Sequence, residues 1–158
     1  EIAARYGQKV FRTPVGEANV AAKMIEVGAV IGGEGNGGVI DLRVGPVRDS
    51  FLGIATVLDL LVRTDKPLSE IVAGLPRYAM IKTKFDCTPE QSARLVGAVK
   101  EKFADQRLDT QDGVRIDWPD GWVHVRQSNT EPIARVIAEA ADAATAERLI
   151  TTVQALRG

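Results

Sequence analysis

The order of hydrophobic periods from residue 78 onward most constrains how this chain folds. Tyr78 to Phe85 alternates apolar and polar residues, the period of a half-buried strand. "TPEQ" follows, with Thr88 as a cap, Pro89 at the first helical position and Gln91 reaching back. Leu95, Val96, Val99 and Phe103 then recur at helical spacing. Strand-like runs return at Gly113 to Trp118, Trp122 to Arg126 and Ile133 to Ala138, joined by turns at "PDG" and "SNTEP". Asp142 can cap a last helix that turns Leu149, Ile150, Val153 and Leu156 inward. Strand, helix, three strands, helix predicts an α+β unit: a four-stranded antiparallel sheet with two helices on one face.

The first half reads differently. Val10 to Val15 is a short strand candidate, and Gly16 to Val27 is a helix with Val20, Met24 and Val27 on one face, ended by Gly28. "AVIGGEGNGGVI" offers two short apolar runs around a loop with five glycines. Asp49 or Ser50 caps a helix over Phe51 to Val62 that is apolar nearly all round, the pattern of a buried helix. "KPLSEIVAGLP" predicts a short helix from Pro67 to Gly74. A boundary at Gly74 to Arg77 separates an α/β part, residues 1–73, from the α+β unit, 78–158.

Charge narrows the partners. Twenty basic and 21 acidic residues leave a formal net charge of −1, so bulk charge gives no support to a large nucleic-acid or anionic-membrane surface and leaves room for a local basic pocket. One cysteine, Cys87, excludes an intrachain disulfide and points to a reducing compartment. One histidine, His124, excludes a histidine-rich metal site. The longest apolar run, near Phe51 to Val62, is too short to span a membrane and is broken by Asp59. The opening "EIAARYG" reads like the middle of a helix, so a fragment is expected.

Two stretches can carry chemistry. "GGEGNGG" lacks the Gly-Lys-Ser/Thr ending of a Walker loop and the dinucleotide spacing. It frames Glu34 and Asn36, a carboxylate and an amide suited to bidentate bonding of neighbouring sugar hydroxyls; the alternative is a plain surface turn. "HVRQSNTEP" sets Arg126 beside Ser128, Asn129 and Thr130. A guanidinium fork, two hydroxyls and the turn's N–H groups suit a phosphate; the alternative is a capped turn with Arg126 paired to Glu131. Arg135 is either a second charge for that anion or an exposed strand residue. His124 reads as a strand side chain, Cys87 as a quiet structural thiol, and Trp118 and Trp122 as packing residues.

"GGEGNGG" at 32–38, "RDS" at 48–50 and "VRQSNTEPIARV" at 125–136, in that order, resemble the C-terminal half of the α-D-phosphohexomutase family, which includes phosphoglucomutase, phosphomannomutase and phosphoglucosamine mutase. The second loop matches R-x-S-x-T-E-P at every fixed position. The resemblance implies that residues 1–73 are most of the third of four domains and 78–158 the complete fourth, with a TATA-box-binding-protein-like fold. It implies that Glu34 holds sugar hydroxyls and that Arg126, Ser128, Asn129 and Thr130 grip the phosphate not being transferred. The usual first loop is G-E-x-S-G-H; here Asn36 replaces Ser and Gly38 replaces His. "TPVGE", 13–17, falls at a family substrate loop, with Glu17 where some members carry His. The phosphoserine loop T-A-S-H-N-P and the magnesium loop D-G-D-x-D-R are absent from the sequence; "QDGVRID" and "WPDGW" lack the triple-Asp spacing. The resemblance therefore implies a parent isomerase of the cytoplasm, dependent on magnesium and a hexose bisphosphate activator, whose nucleophile and metal lie outside this chain. Its partners would be a hexose phosphate and the N-terminal domains of the same polypeptide. The competing reading is a freestanding phosphosugar-binding module.

Overall fold

A computed structural model describes residues 1–128 and 130–157. The chain divides into two compact units, Glu1–Leu75 and the segment from Pro76 onward.

The second unit is built on a five-stranded antiparallel sheet in the order β3-β7-β6-β5-β4. Its strands are β3 (Ala79–Asp86), β4 (Arg107–Asp109), β5 (Val114–Trp118), β6 (Gly121–Gln127) and β7 (Ile133–Ala140). Alternation sends Val114, Ile116, Val123, Val125, Val136 and Ala138 to one face, where all six are fully buried. The helices α5 (Pro89–Lys102) and α6 (Ala143–Gln154) close that face with Leu95 and Val99, and with Ala146, Leu149, Ile150 and Val153. Each buried aliphatic side chain contributes about 1.5–3 kcal/mol, so this layer holds the unit together. The helix starts follow local chemistry. Thr88 and Gln91 form the expected capping box, Thr88 N donating to Gln91 Oε1 at 2.9 Å and Gln91 N to Thr88 Oγ1 at 3.3 Å. Asp142 accepts from Thr145 N at 2.8 Å.

The sheet has one strand more than the four expected. β4 is three residues long, pairs with β5 (Arg107↔Asp117, Leu108↔Ile116, Asp109↔Arg115) and directs only Leu108 toward the core. With one apolar residue between two charges it carries no readable alternation; the tertiary pairing alone makes it a strand.

The first unit contains α1 (Ile2–Arg5), α2 (Glu17–Val27), the two-residue strands β1 (Gly32–Gly33) and β2 (Val39–Ile40), α3 (Ser50–Thr64) and α4 (Leu68–Ala73). α2 ends at Gly28 in the left-handed conformation and buries Ala21 and Met24. β1 and β2 pair antiparallel, Gly32 with Ile40 and Gly33 with Val39, and so form the stem of the glycine loop. Asp49, rather than Ser50, caps α3, accepting from Leu52 N at 2.9 Å. Two expectations fail here. Val10 to Val15 forms no strand: Pro14 has no N–H to give, Val10, Phe11 and Val15 are exposed, and no strand among the described residues pairs with the segment. α3 is not buried either; Phe51 is 84% and Val62 81% exposed. An apolar pattern states which surface a helix would bury, and burial also requires a neighbour.

Candidate functional site

The β1–β2 stem presents Glu34 to Gly38 as a tight loop, closed by Gly37 N donating to Glu34 O at 3.2 Å. The Glu34 side chain is partly sheltered. Its Oε1 accepts from the Gly16 backbone N–H at 3.2 Å, and its Oε2 lies 3.5 Å from the Arg48 guanidinium. Arg48 Nε also bonds the Glu17 carboxylate, which holds the guanidinium above its ordinary value, with Glu34 adding a smaller push the same way. "TPVGE" and "GGEGNGG", 18 residues apart through Gly16 and Glu34, are thus joined at one carboxylate. Asn36 Oδ1 accepts from Gly38 N at 3.3 Å, so its carbonyl serves the loop's own backbone and its NH2 is the end that can donate to a ligand. A hollow of about 470 Å³ opens beside the loop; Gly37, Gly38 and Arg48 line one side and Val39, Ile54 and Leu58 the apolar wall.

The second site lies at the end of β6. Arg126 belongs to the sheet face opposite the helices and its side chain is only 12% exposed. Its Nη1 donates to Gln127 O at 3.3 Å and its Nε is 3.9 Å from the Asp112 carboxylate. Ser128 is buried; its N–H donates to Ile133 O at 2.9 Å, and its hydroxyl oxygen lies 3.5 Å from Thr130 N. Arg126, Ser128 and Thr130 therefore meet at one turn; Asn129 lies outside the described residues. Pro132, which ends the turn, has its carbonyl bound by Cys87 N at 3.0 Å. The pairing of Arg126 with Glu131, the alternative for a capped turn, is not what forms: Glu131 bonds Arg135 at 3.0 Å. Arg135 Nε is buried with no hydrogen-bond partner.

Cross-strand register places Arg126 opposite Arg135, and Arg135 opposite Lys84. Like charges directly opposite on a sheet repel, so this row across β6, β7 and β3 contributes no cross-strand attraction of its own.

Sequence reasoning missed what supports Arg126. The turn Gln111–Gly113 stacks on β6: Gly113 has φ +68°, and a Cβ there would lie 2.2 Å from Val125 O and 2.8 Å from Arg126 Cβ. Asp112 O accepts from His124 Nε2–H at 2.6 Å, which fixes that imidazole's tautomer. "QDGVRID" was legible only as a failed metal loop; its role as a shelf depends on β5 pairing with β6. Elsewhere on the same face, Trp122 Nε1 donates to Glu139 at 3.0 Å, and the Arg115 guanidinium stacks 3.9 Å from the Trp122 ring centroid. Trp118 packs edge-on against Phe103 at 5.4 Å. Cys87 is buried.

No three His, Cys, Asp or Glu side chains come together as a metal-binding group among the described residues. Octahedral magnesium prefers clustered carboxylate oxygens, so the donors present do not fit it. No helix among the described residues is long and apolar enough to cross a membrane.

This architecture, an α/β unit followed by an antiparallel sheet with two helices on one face and a loop at each candidate site, defines a class with known members. Residues 1–78 match the description "Phosphoglucomutase/phosphomannomutase, alpha/beta/alpha domain III" and residues 81–155 "Phosphoglucomutase/phosphomannomutase, C-terminal domain"; the chain belongs to that family. It is 41% identical over 144 residues to a phosphoglucomutase/phosphomannomutase of Thermococcus kodakarensis, covering 89% of this chain and 31% of that protein. It is 33% identical over 150 residues to a phosphoglucosamine mutase of Methanococcus maripaludis, covering 93% of this chain and 34% of that protein. A crystal structure of a phosphoglucomutase/phosphomannomutase family protein from Burkholderia thailandensis superposes with a TM-score of 0.81 at 26% identity, over 97% of this chain and 33% of that one. The chain thus spans about a third of the length of the relatives it matches.

Proposed function

We propose that this chain is the substrate-recognition half of a phosphohexomutase, an intramolecular phosphotransferase that interconverts hexose 1-phosphates and 6-phosphates through a bisphosphate intermediate. The phosphoserine that gives and takes the phosphoryl group would lie outside residues 1–158. Residues 1–73 form the sugar-recognition part and 78–158 the phosphate-binding part. Arg126 holds the phosphate that is not reacting, with the Ser128 and Thr130 hydroxyls and Asn129 completing the shell, while Glu34 and the Asn36 NH2 bind sugar hydroxyls. One fixed phosphate grip serves both orientations of the bisphosphate, because either phosphate can occupy it while the other meets the serine. Phosphoryl transfer depends on positioning and charge stabilisation, and positioning is what these residues supply. Magnesium in the parent enzyme would neutralise charge on the transferring group from a site outside this chain. The parent works in the cytoplasm, takes a hexose bisphosphate as activator, and has its N-terminal domains as this chain's partner.

The observation that carries this reading is Arg126: a nearly buried guanidinium opposite a second arginine, at a turn whose acidic residue pairs elsewhere. A mutase assay of the full-length parent with glucose, mannose and glucosamine 1-phosphates tests it. Turnover that falls with Arg126→Ala supports the reading. No turnover of any hexose phosphate by the parent refutes it in favour of a non-catalytic phosphosugar-binding module.

A further inference from the structure

Arg48 lies outside both loops that carry the functional reading, yet it ties the first of them to a neighbouring segment. Its Nε bonds Glu17 at the end of "TPVGE", and its Nη1 reaches Glu34 within "GGEGNGG" at 3.5 Å. Glu34's other oxygen is held by Gly16 N at 3.2 Å. The Glu34 side chain therefore sits between one guanidinium and one amide, both from outside its own loop.

That loop cannot hold a side chain in place by itself. Gly33, Gly35, Gly37 and Gly38 surround Glu34 and Asn36, and glycine gives backbone freedom instead of stiffness. Arg48 needs room to reach Glu34, and Gly38 provides it. A Cβ at position 38 would stand 2.1 Å from Arg48 Cδ, 2.7 Å from Cγ and 3.2 Å from Cβ. The arginine stem runs directly over the glycine, so the two residues are one device: an absent side chain at 38 is the lane through which the guanidinium arrives.

Stability is a poor reason for this arrangement. Arg48 is 40%, Glu17 29% and Glu34 18% exposed in their side chains, and ion pairs with such access to water contribute little to folding. A guanidinium shared by two carboxylates also leaves the cluster one negative charge in excess, with carboxylate lone pairs still open beside the hollow that Arg48 and Gly38 line.

We propose that Arg48 is a positioning residue that sets the Glu34 carboxylate for sugar hydroxyls, and that Gly38 is required because it admits Arg48. This rests on the reading of Glu34 as the sugar-binding carboxylate of the parent enzyme. Arginine is needed over lysine because its planar fork can address two carboxylates at once, whereas an ammonium is a single point charge.

The test uses the full-length parent turning over whichever of glucose, mannose or glucosamine 1-phosphate it converts fastest. Single exchanges Arg48→Met, Arg48→Lys, Gly38→Ala and Glu34→Gln are compared with the double exchanges that pair Arg48→Met with each of the last two. Arg48→Met is expected to lower kcat/KM about ten- to hundredfold, the cost of losing a positioned group, with an unchanged melting temperature. Arg48→Lys should recover part of that loss. Gly38→Ala should reproduce Arg48→Met, its double with Arg48→Met should be barely slower than Arg48→Met alone, and the double with Glu34→Gln should be barely slower than Glu34→Gln alone, because Arg48 and Gly38 act only through Glu34. If Glu34→Gln slows the enzyme while Arg48→Met does not, or if their losses simply multiply, the positioning role is overturned and the sugar reading stands. If Glu34→Gln turns over like the wild type, the sugar reading itself is overturned, and this inference with it. A fall in melting temperature that accounts for the lost activity of Arg48→Met would reduce Arg48 to a structural residue.

Discussion

Replacing Gly113 by alanine should damage the proposed phosphate site from behind. At φ +68° an L side chain is strained, by about 1–2 kcal/mol for left-handed backbone. The added Cβ would also lie 2.2 Å from Val125 O, 2.9 Å from Arg126 Cα and 2.8 Å from Arg126 Cβ. None of these is the end of a flexible chain; all belong to β6 or its first side-chain atom. Relief needs a separation of roughly 1 Å between the Gln111–Gly113 turn and β6, since ordinary contacts begin near 3.4 Å. Such a shift breaks the 2.6 Å bond from His124 to Asp112 O and moves the Asp112 carboxylate from Arg126. A lost hydrogen bond costs about 1 kcal/mol, so the total is about 2–3 kcal/mol. With a urea m-value of roughly 1–3 kcal/mol/M, the unfolding midpoint should fall by about 1–3 M. Trp118 and Trp122, the chain's two tryptophans, lie on β5 and β6 and report this unit's unfolding by fluorescence. Gly97 is the control: it is exposed on α5 and an added Cβ would meet nothing within 4 Å, so Gly97→Ala should be neutral or stabilise by about 0.5–1 kcal/mol. An unchanged midpoint for Gly113→Ala, or a loss equal to that of Gly97→Ala, would show that the turn gives way freely and that the shelf under Arg126 is not rigid.

Arg126→Ala should lower kcat/KM of the parent by about ten- to a hundredfold or more, because one charge-assisted hydrogen bond contributes roughly 1.5–3 kcal/mol, and Arg126→Lys should recover only part. In the isolated chain, inorganic phosphate should shift NMR signals across residues 126–130, less so at high salt; silence there, with a normal Arg126→Ala enzyme, would leave only a well-formed turn. The isolated chain should show no mutase activity with glucose 1-phosphate, and turnover by rigorously purified chain would contradict the fragment reading. Asp41, held by hydrogen bonds from the Arg43 side chain and backbone, has its carboxyl lowered from 3.8 to about 2. A depressed carboxyl stabilises the fold above pH 3.8, and that contribution is lost as pH falls from there through about 2. Protection of the amides at residues 39–45, measured against their intrinsic exchange rates, should therefore fall over that window and do so less steeply in Asp41→Asn.

The local sequence was sufficient wherever a feature depends on residues a few positions apart. The capping box at Thr88 and Gln91, the Asp142 cap, the Gly28 terminus of α2 and the alternation of β5, β6 and β7 are all of this kind, because helix ends and strand faces are set by spacing along the chain. The loop "RQSNTEP" was likewise legible, since its residue types and order are themselves the pattern. What required the tertiary structure was every feature that depends on a neighbour. β4 is a strand because β5 pairs with it, and its own three residues carry no period. Val10 to Val15 has strand-like composition but forms no strand, and α3 has an apolar surface with most of it in the open. The supports of the two candidate sites belong to the same group. Gly113 and Asp112 meet Arg126 across 13 and 14 positions, and Arg48 reaches Glu17 across 31 and Glu34 across 14. Their roles come from approach distances of a few ångströms between segments, and no spacing along the sequence encodes which segments will approach.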